Sequence, residues 1–600
     1  MPLLPHLRHN RRVRVRLWRV LPILFLVAFY WLGLWTWFYQ DDFGWLNLRR
    51  DVHTWTDVLP AIFAPQAGHG IVRPLSVTGY FLLFSTLFGI DPLPFRIAVF
   101  VTQAGALLLL GDIMLRLTRS RAAGFWAQIF WAANSGLAVV MCWTSIYNQA
   151  LCGFFLLLAF WCLLRYLETG ERRWWIAQWA AFLAGFGALE TNVVYPALAA
   201  SYTWFAARKH FRRTLPMFAV SAAYALLHLT SAAQPGGVYG LHPGLSMAAT
   251  FWTYWIMALG PDRLAVVRQI PAWTVVAATL ALTAGAAVAL LRVRGAWLGL
   301  AWFIFPLAPF LPLRDHVMDY YLAVPAIGLG MLGGWAVAAA SRAGIAAKAA
   351  TVAAAALYLG FSLPASHAIV QWHYDRSRDV EKLVLGVEEI HRARPDGTIL
   401  LTGVTTDLFL AGMADVPFRA LNIPRVYLAP GAAEAIASPL AAWFVLPDAL
   451  AIGELDAGRA AVYDASGPQL RNVTRRWRTA AVLRSETPRL IIPGDPLYAP
   501  YLGTGWEAPR DGFRRTYARA TLRIGGPRDA HDALVLGVYS APEAPRVRAA
   551  GTELRAEAVT RHAGRADYRY ALPAALAGAA EVEIAIEGAE GFTFGFAAVR

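Results

Sequence analysis

Charge is scarce in this sequence. Only 16% of its 600 residues are charged, against about 25% in an average soluble domain. Hydrophobic residues make up 57% of the chain, and Trp occurs 24 times. This composition argues against a single water-exposed fold. The aromatic content of 13% argues against intrinsic disorder, because disordered chains are poor in aromatic residues.

Cysteine and the motifs of common soluble enzymes are also lacking. The chain has three Cys, and two of them, Cys152 and Cys162, lie within one apolar run. We therefore expect neither a disulfide framework nor a zinc ribbon. The sequence contains no Walker loop, no H-E-x-x-H and no G-x-S-x-G, so it carries no signature of a nucleotide-binding loop, a zinc protease or a serine hydrolase.

Acidic residues are rare before Pro364. Residues 1–364 hold 20 of the 24 Trp and 27 of the 54 basic residues, but only 12 of the 39 acidic residues. Residues 365–600 hold 27 residues of each sign, so the whole net charge of +15 belongs to the apolar part. The sequence therefore predicts a membrane domain over 1–364, followed by a soluble tail.

Long apolar runs in the first part predict a polytopic α-helical membrane protein with about 11 crossings. A helix needs about 20 apolar residues to span the hydrocarbon core of a bilayer. Two further apolar stretches, 75–88 and 247–260, are short or flanked by Pro, and we expect them to be interfacial or re-entrant. The predicted spans are 20–38, 95–115, 122–141, 150–164, 174–189, 193–205, 215–230, 275–291, 296–311, 320–340 and 349–363.

The distribution of basic residues predicts the orientation. Six Arg precede the first span, which favours a cytoplasmic N-terminus. Counting from there, 20 basic residues fall at cytoplasmic ends and seven fall outside. We therefore expect a multi-pass protein of the bacterial inner (plasma) membrane with a periplasmic tail. The positive charge is an orientation signal, so the expected partner is membrane lipid and not nucleic acid.

Nine of the 12 acidic residues of the membrane part fall on the outer side in this topology. The sharpest element is Asp41-Asp42, directly after the first span. Repulsion between adjacent carboxylates can separate their pKa values and leave one as a base near neutral pH. The pair can equally ligate a divalent cation such as Mg²⁺ or Mn²⁺, or simply be a solvated helix end.

Other polar residues fall on the same predicted side. Arg73 offers a planar fork for phosphate oxygens, or snorkels to lipid head groups. Arg314 and His316 form a second candidate phosphate-binding group, for which a salt-bridged loop is the alternative. The candidate substrate-binding residues are His69, Tyr147, Asn148, Glu190 and Asp315.

The tail is predicted to have two parts. Residues 365–495 carry helical signals at 379–391 and a buried-strand pattern at 397–401, which indicate a small α/β or irregular segment. Residues 496–600 contain segments at 516–524, 533–539, 581–587 and 592–599 that are typical of an antiparallel β-sandwich. Gly505-Trp506-Glu507 resembles the opening of carbohydrate-binding-like sandwiches, and a core position for Trp506 is the alternative.

Taken together, these motifs resemble the GT-C fold glycosyltransferases, polytopic enzymes that use polyprenyl-phosphate-linked sugars. Families of the protein O-mannosyltransferase and aminoarabinose transferase type carry an acidic pair after the first span, as Asp41-Asp42 does here. A related branch with tetratricopeptide tails has an Arg-Pro-Leu stretch, as at 73–75, and an acidic residue before Pro, as Glu190. This chain has no tetratricopeptide repeat, and Leu189 stands where that branch commonly has Lys. Neither the sugar nor the acceptor can therefore be transferred from the family.

The resemblance implies a hexosyl- or pentosyltransferase that moves a sugar from a polyprenyl phosphate to a glycan, lipid or protein acceptor outside the cytoplasm. Asp41 or Asp42 would supply the base, alone or with a metal ion, for direct displacement with inversion. Arg73, Arg314 and His316 would hold the lipid phosphate.

Two other functions compete with this one. A lipid or glycan transporter or flippase predicts ionisable residues deep within spans, for which Asp112 is the main acidic candidate. A non-catalytic envelope glycan assembly protein predicts that Asp41, Asp42 and Arg73 can be replaced without effect.

Overall fold

The structure is a computed structural model that describes residues 5–63, 72–231, 239–510, 512–529, 531–539, 543–562, 565–588 and 590–600. For residues 5–16, 231 and 562 it describes the backbone alone. The chain divides into two compact units, of which the first ends at Glu381 and the second runs from Lys382 to Arg600. The predicted substrate residue His69 lies outside the described residues.

The first unit is helical in its described part, as its apolar runs predict. The helices up to residue 206 are α1 (Pro5–Phe29), α2 (Asp41–Leu46), α3 (Trp55–Phe63), α4 (Thr78–Phe88), α5 (Pro92–Thr118), α6 (Arg121–Ala132), α7 (Ser135–Val140), α8 (Tyr147–Thr169), α9 (Arg172–Phe186) and α10 (Tyr195–Ala206). They are followed by α11 (Leu215–Ser231), α12 (Ser246–Leu259), α13 (Pro261–Val267), α14 (Ala272–Arg292), α15 (Ala296–Leu307), α16 (Ala326–Ser341) and α17 (Ile345–Ala393).

Four helices of the described residues, α5, α8, α14 and α17, are long and apolar enough to cross a membrane. The other predicted spans correspond to shorter or interrupted helices, so the count of eleven crossings stays a prediction. The two stretches predicted not to cross form α4, with 11 residues, and α12, with 14 residues. Both are shorter than the length of about 20 residues that a crossing requires.

One predicted span is interrupted at Asn134. The segment 122–141 forms α6 and α7 instead of one helix. The buried Asn134 side chain accepts a hydrogen bond from the backbone N–H of Gly136 (3.0 Å), which caps α7. Its Nδ2 donates to the carbonyl of Ala258 (2.8 Å) and to the hydroxyl of Tyr358 (2.9 Å). A side chain that replaces helical hydrogen bonds in this way allows a helix to break inside a packed bundle.

The predicted boundary at residue 364 falls within a continuous helix. Helix α17 has 49 residues and contains Pro364, and the helical signals at 379–391 belong to its last turns. The composition changes at 364 because the helix passes from an apolar to a polar sequence, whereas the helix itself continues.

The second unit begins with an α/β segment, as predicted. Its strands are β1 (Thr398–Thr402), β2 (Val426–Leu428), β3 (Ala460–Asp464) and β4 (Arg471–Asn472), in the order β2-β1-β3-β4. The first three are parallel, and β4 is antiparallel to β3. The helices of this segment are α18 (Thr406–Gly412), α19 (Pro417–Ala420), α20 (Asp448–Asp456) and α21 (Thr474–Ala480). The buried strand predicted at 397–401 is confirmed as β1.

Two antiparallel sheets follow. Their strands are β5 (Leu490–Ile491), β6 (Arg514–Arg515), β7 (Arg519–Ile524), β8 (Ala533–Tyr539), β9 (Arg546–Ala549), β10 (Thr552–Leu554), β11 (Ala556–His562), β12 (Arg565–Ala571), β13 (Val582–Glu587) and β14 (Thr593–Val599). One sheet has the order β10-β9-β13-β7 and the other β11-β12-β8-β14-β5, with β6 also paired to β14. Apolar side chains from both sheets form one core.

The strands predicted from alternation are confirmed as β7, β8, β13 and β14, with ends that differ by at most three residues. Trp506 packs against this core. Its Nε1 donates to the carbonyl of Thr521 (2.7 Å), and its ring lies 5.6 Å from that of Phe594. These contacts support the core position that was the alternative for this residue.

Candidate functional site

The two carboxylates of the acidic pair lie in different environments. The chain turns at Gln40, whose φ of +56° is uncommon for a residue other than Gly, and helix α2 begins at Asp41. Asp41 is exposed, whereas Asp42 is fully buried. Oδ1 of Asp42 accepts hydrogen bonds from the backbone N–H (2.7 Å) and from the hydroxyl of Ser145, and Oδ2 accepts from the backbone N–H of Tyr39 (3.2 Å).

Burial changes the acid–base behaviour of Asp42. Loss of hydration raises the pKa of its carboxyl to about 7, although hydrogen bonds from Ser145 and Tyr39 oppose the rise. The negative charge of Asp41 adds to it. Repulsion within the pair, which the sequence predicts, therefore contributes, but desolvation is the larger cause.

Arg73 and Glu190 form a bidentate ion pair. Nε of Arg73 lies 2.9 Å and 3.0 Å from the two carboxylate oxygens, and Nη2 lies 2.7 Å from Oε2. Both side chains are about one fifth exposed (19% and 20%). Burial alone would raise the pKa of Glu190, but the charge of Arg73 holds it below its usual value. Glu190 thus engages two nitrogens of the predicted phosphate-binding Arg and leaves Nη1 outside the pair.

The phenol of Tyr239 is within electrostatic reach of both Asp41 and Arg73. Burial raises the pKa of Tyr239; the negative charge of Asp41 raises it further, and the positive charge of Arg73 lowers it. Both charges therefore act on one phenol. The ring of His316 lies 4.3 Å from that of Tyr239 and 5.9 Å from that of Tyr321. A ring contact thus brings together Tyr239 and His316 of two predicted outer loops, and the charges of Asp41 and Arg73 from the first outer loop act on the same phenol.

The loop that carries the second predicted phosphate group has its own ion pairs. Arg314 is about half exposed (52%) and lies 3.5 Å from Oδ1 of Asp315. The other oxygen of Asp315 is 2.9 Å from Nε2 of His242. The salt-bridged loop that the sequence left as an alternative is therefore present, and Asp315 is engaged by two partners.

His316 is a neutral candidate and not a cationic one. Burial lowers the pKa of its imidazole below 6.5, so the ring is mostly unprotonated at neutral pH. Its Nε2 is buried and has no hydrogen-bond partner among the described residues. A neutral imidazole can still donate or accept one hydrogen bond, so His316 stays a candidate that would hold the phosphate by a hydrogen bond and not by charge.

Tyr147 and Asn148 lie in the packed interior at the start of α8. Tyr147 is 7% exposed; its hydroxyl lies 3.0 Å from that of Thr102, and its ring lies 4.5 Å from that of Tyr80. Asn148 is 5% exposed and donates to the carbonyl of Ser145 (3.3 Å). Its Oδ1 is buried without a hydrogen-bond partner in the described part of the chain.

Several residues of the site were not singled out from the sequence. Ser145 lies in the same polar stretch as Tyr147, but its partner is 103 residues away. Arg96, which the sequence places at the outer end of the predicted span 95–115, is fully buried. Its Nε donates to the carbonyl of Gly33 (2.7 Å), and Nη2 donates to that of Met141. Tyr239 lies outside every predicted span and motif, so no pattern marked it.

The acidic pair does not fit a metal site built on both carboxylates. The two oxygens of Asp42 already accept hydrogen bonds from the protein, and this leaves only Asp41 of the pair exposed. Among the described residues, no group of three or more His, Cys, Asp or Glu side chains is placed to hold a metal ion.

No protein-family model matches the chain, and no curated protein sequence matches it. Solved structures that resemble it in fold include the following three. ArnT from Cupriavidus metallidurans in the apo state has 14% identity and a TM-score of 0.38, over 75% of this chain and 93% of that one. ArnT bound to undecaprenyl phosphate has 13% identity and a TM-score of 0.36, over 94% and 99%. Arabinofuranosyltransferase AftD from Mycobacteria has 12% identity and a TM-score of 0.39, over 97% of this chain and 59% of that one.

By name, AftD is an arabinofuranosyltransferase, and one of the two ArnT structures is bound to undecaprenyl phosphate. The likeness is distant, with every TM-score below 0.5. What this chain does must therefore be argued from its own residues.

Proposed function

We propose that this protein is a membrane glycosyltransferase of the GT-C type. It moves a sugar from a polyprenyl-phosphate-linked donor to an acceptor outside the cytoplasm, by direct displacement with inversion. The single observation that carries the proposal is the unequal pair, an exposed Asp41 next to a buried Asp42. The charges of Asp41 and Arg73 both act on the phenol of Tyr239, which supports placing the cation near the pair. In a displacement, a carboxylate can remove the proton of the acceptor hydroxyl, and a nearby cation can stabilise the departing phosphate.

Asp41 is the catalytic base in this proposal. A general base must reach the proton that it removes, and Asp41 is the exposed member of the pair. Asp42 is fully buried, with both oxygens hydrogen-bonded, so it cannot contact an acceptor without rearrangement. Its role is to hold the start of α2, and thereby the carboxylate of Asp41, in place.

The chemical step balances without a further reagent. The acceptor hydroxyl gives its proton to the carboxylate of Asp41, and its oxygen forms a bond to the anomeric carbon. The bond between that carbon and the phosphate oxygen breaks, and its electron pair leaves with the polyprenyl phosphate. Attack from the side opposite the leaving group inverts the anomeric configuration.

The leaving phosphate gains negative charge during this step, and preorganised donors stabilise such charge. Nη1 of Arg73 is outside the pair with Glu190, and Nε2 of His316 is a buried polar atom without a partner in the described chain. Together with Arg314 and the phenol of Tyr239, they are the proposed donors to the phosphate. The apolar tail of the donor would lie against the membrane-facing helices.

The test is incubation of the purified full-length protein with candidate polyprenyl-phosphate sugars, with release of polyprenyl phosphate and transfer of sugar as readouts. Asp41→Asn should fold and lose at least about 100-fold in kcat, in the range that general bases contribute. Asp57→Asn, which alters another carboxylate of the first predicted outer loop, is the matched control and should keep full activity.

Three results would decide against the proposal in its present form. Full transfer by both Asp41→Asn and Asp42→Asn would remove the acidic pair from the chemistry. Loss of activity with a chelator, restored by Mg²⁺ or Mn²⁺, would require a metal site that the acidic pair alone does not form. Movement of the donor lipid between leaflets without any sugar transfer would favour a flippase.

The environment of Asp112, the main acidic candidate for a transport pathway, argues against the flippase alternative. Asp112 of α5 accepts hydrogen bonds from Arg19 (3.0 Å), Arg116 (2.8 Å) and the indole of Trp161 (2.7 Å). A carboxylate with three donors is a satisfied network, and networks of this kind typically stabilise packing. Asp112 therefore does not present the unpaired intramembrane charge that a transport pathway would need.

A further inference from the structure

One face of helix α17 contacts the four residues that precede the acidic pair. Residues 373, 376 and 377 are three and four positions apart, so they lie on the same side of the helix. Residues 37–40 lead directly into Asp41. We name His373, Arg376 and Ser377 the α17 clamp.

The α17 clamp makes three contacts with this segment. The backbone N–H of Trp37 donates to Oγ of Ser377 (3.1 Å), and Nη1 of Arg376 donates to Oε1 of Gln40 (3.3 Å). The closest contact is buried: Nδ1 of His373 lies 2.7 Å from the hydroxyl of Tyr39. Side-chain hydrogen bonds out of water are costly to leave unmade, so these contacts define one arrangement of the segment.

The position of this segment affects the acidic pair through two features of the backbone. The N–H of Tyr39 donates to Oδ2 of Asp42 (3.2 Å). The next residue, Gln40, has a φ of +56° and a ψ of −135°, a conformation that surrounding contacts must maintain because it is strained for a residue with a side chain. A shift of Tyr39 would therefore change both the direction in which α2 begins and the support of Asp42.

The ring of Tyr39 is held by contacts of its own, in addition to the bond at its hydroxyl. It stacks on Trp143 at 5.5 Å and 24°, and the guanidinium of Arg376 lies 5.9 Å from its centroid. Trp143 is two residues before Ser145, which holds the other oxygen of Asp42. Tyr39 thus lies between α17 and the loop that supports the buried carboxylate.

We propose that His373 is a positioning residue of the transfer reaction: through its hydrogen bond to Tyr39, it fixes the turn that presents Asp41 to the acceptor. This inference rests on the proposed function. His373 itself is buried (6% exposed) and touches no reacting atom. Its loss should lower kcat and leave KM for the donor nearly unchanged, because no proposed phosphate-binding residue lies in the segment 37–46 that His373 supports.

The test compares four variants of the full-length protein. His373→Leu removes the hydrogen bond, and His373→Asn keeps an acceptor near the place of Nδ1. Tyr39→Phe removes the other partner. His367→Leu changes an exposed histidine of the same helix and is the matched control. The readouts are kcat and KM for the donor, and amide hydrogen exchange of the peptide covering residues 37–46.

We expect His373→Leu and Tyr39→Phe each to lower kcat at least tenfold and to raise exchange of residues 37–46. The kcat of the double variant should lie within about twofold of the kcat of the less active single variant, because both substitutions remove the same contact. His373→Asn should stay within about threefold of the unmodified protein, and His367→Leu should match it.

The two readouts separate failure of this inference from failure of the proposed function. Unchanged exchange of residues 37–46 in His373→Leu would overturn the inference, whatever the activity. Raised exchange with unchanged kcat would also overturn it. If the unmodified protein transferred no sugar from any donor, the proposed function would fail. The exchange data would then show only whether His373 holds the turn, and its role in transfer would fall with the reaction.

Discussion

Replacement of Asp42 by Asn should change how the stability of the protein depends on pH. The buried carboxyl has a pKa of about 7 in the folded protein, against an ordinary value of 3.8. Between about pH 4 and pH 7, the folded protein keeps a proton that the unfolded chain has released. Because the unfolded state binds fewer protons in this window, the free energy of unfolding falls as pH rises.

The size of the effect follows from the shift. A difference of about 3 pKa units at about 1.36 kcal/mol per unit corresponds to about 4 kcal/mol of stability lost between pH 4 and pH 8. The amide side chain of the Asp42→Asn variant has no such proton, so the variant should gain stability relative to the unmodified protein as pH rises. This amide would face the N–H of Tyr39 as a second donor, which costs about 1–3 kcal/mol at every pH.

The assay is thermal unfolding in detergent at several values between pH 5 and pH 8. The expected result is a difference in Tm, variant minus unmodified protein, that rises from pH 5 to about pH 7 and levels off toward pH 8. Asp57→Asn is the control. Asp57 accepts hydrogen bonds from the backbone N–H of Thr54 and from its hydroxyl, which hold its pKa below 3.8, so its variant should show a constant difference in this range. A Tm difference for Asp42→Asn that is flat or falls with pH would refute the assignment of a raised pKa.

Three further predictions concern contacts that the structure defines. Glu190→Gln leaves Arg73 with one acceptor in place of a bidentate carboxylate and should cost about 1–3 kcal/mol, seen as a lower Tm; Arg73→Gln in the same chain should recover part of that loss if the two side chains are coupled. Arg314→Gln should raise KM for the donor about tenfold or more, as expected for loss of a hydrogen bond between charged groups. The control is Arg268→Gln, which changes an exposed cation on the same predicted side and should leave KM unchanged. Equal KM values in the two variants would remove Arg314 from the phosphate site. Asn134→Ala removes a helix cap and two buried hydrogen bonds, and should destabilise by about 2–4 kcal/mol in thermal unfolding; a loss below about 0.5 kcal/mol, the lower end for one cap, would show that α6 and α7 do not depend on this side chain.

The local structure of this protein follows closely from its sequence pattern. Strand β8 has the residues that alternation and apolar content predict, and the helices match the apolar runs to within a few residues at most ends. The reason is that period and burial are local properties, which each segment carries in its own residues. The first span is an exception: helix α1 ends at Phe29, nine residues before the predicted end, because the apolar composition continues through a short 3₁₀ helix (Trp31–Leu34) and the irregular segment after it.

The long-range contacts of the candidate site could not be predicted in the same way. Arg73 and Glu190 are 117 residues apart, and Asp42 and Ser145 are 103 apart. The sequence predicts that these residues, or their immediate neighbours, lie on the outer side. It does not predict which carboxylate forms a hydrogen bond with which donor. The burial of Arg96 was missed for a related reason: a cation at a predicted helix end is expected to be exposed until the carbonyls that satisfy it are known.

The unequal environments of Asp41 and Asp42 give the two carboxylates different possible roles in the proposed reaction. From the sequence, two adjacent carboxylates are equivalent, and either can be the base. In the fold, one has both its oxygens engaged by the protein and the other has access to solvent, so their roles must differ. A buried carboxyl with a pKa of about 7 carries a partial charge at neutral pH, and its ionisation places a second negative charge beside the base. Under the proposed function, Asp42 therefore supports the start of α2 through its hydrogen bonds with Tyr39 and Ser145, and Asp41 is the carboxylate that can reach an acceptor.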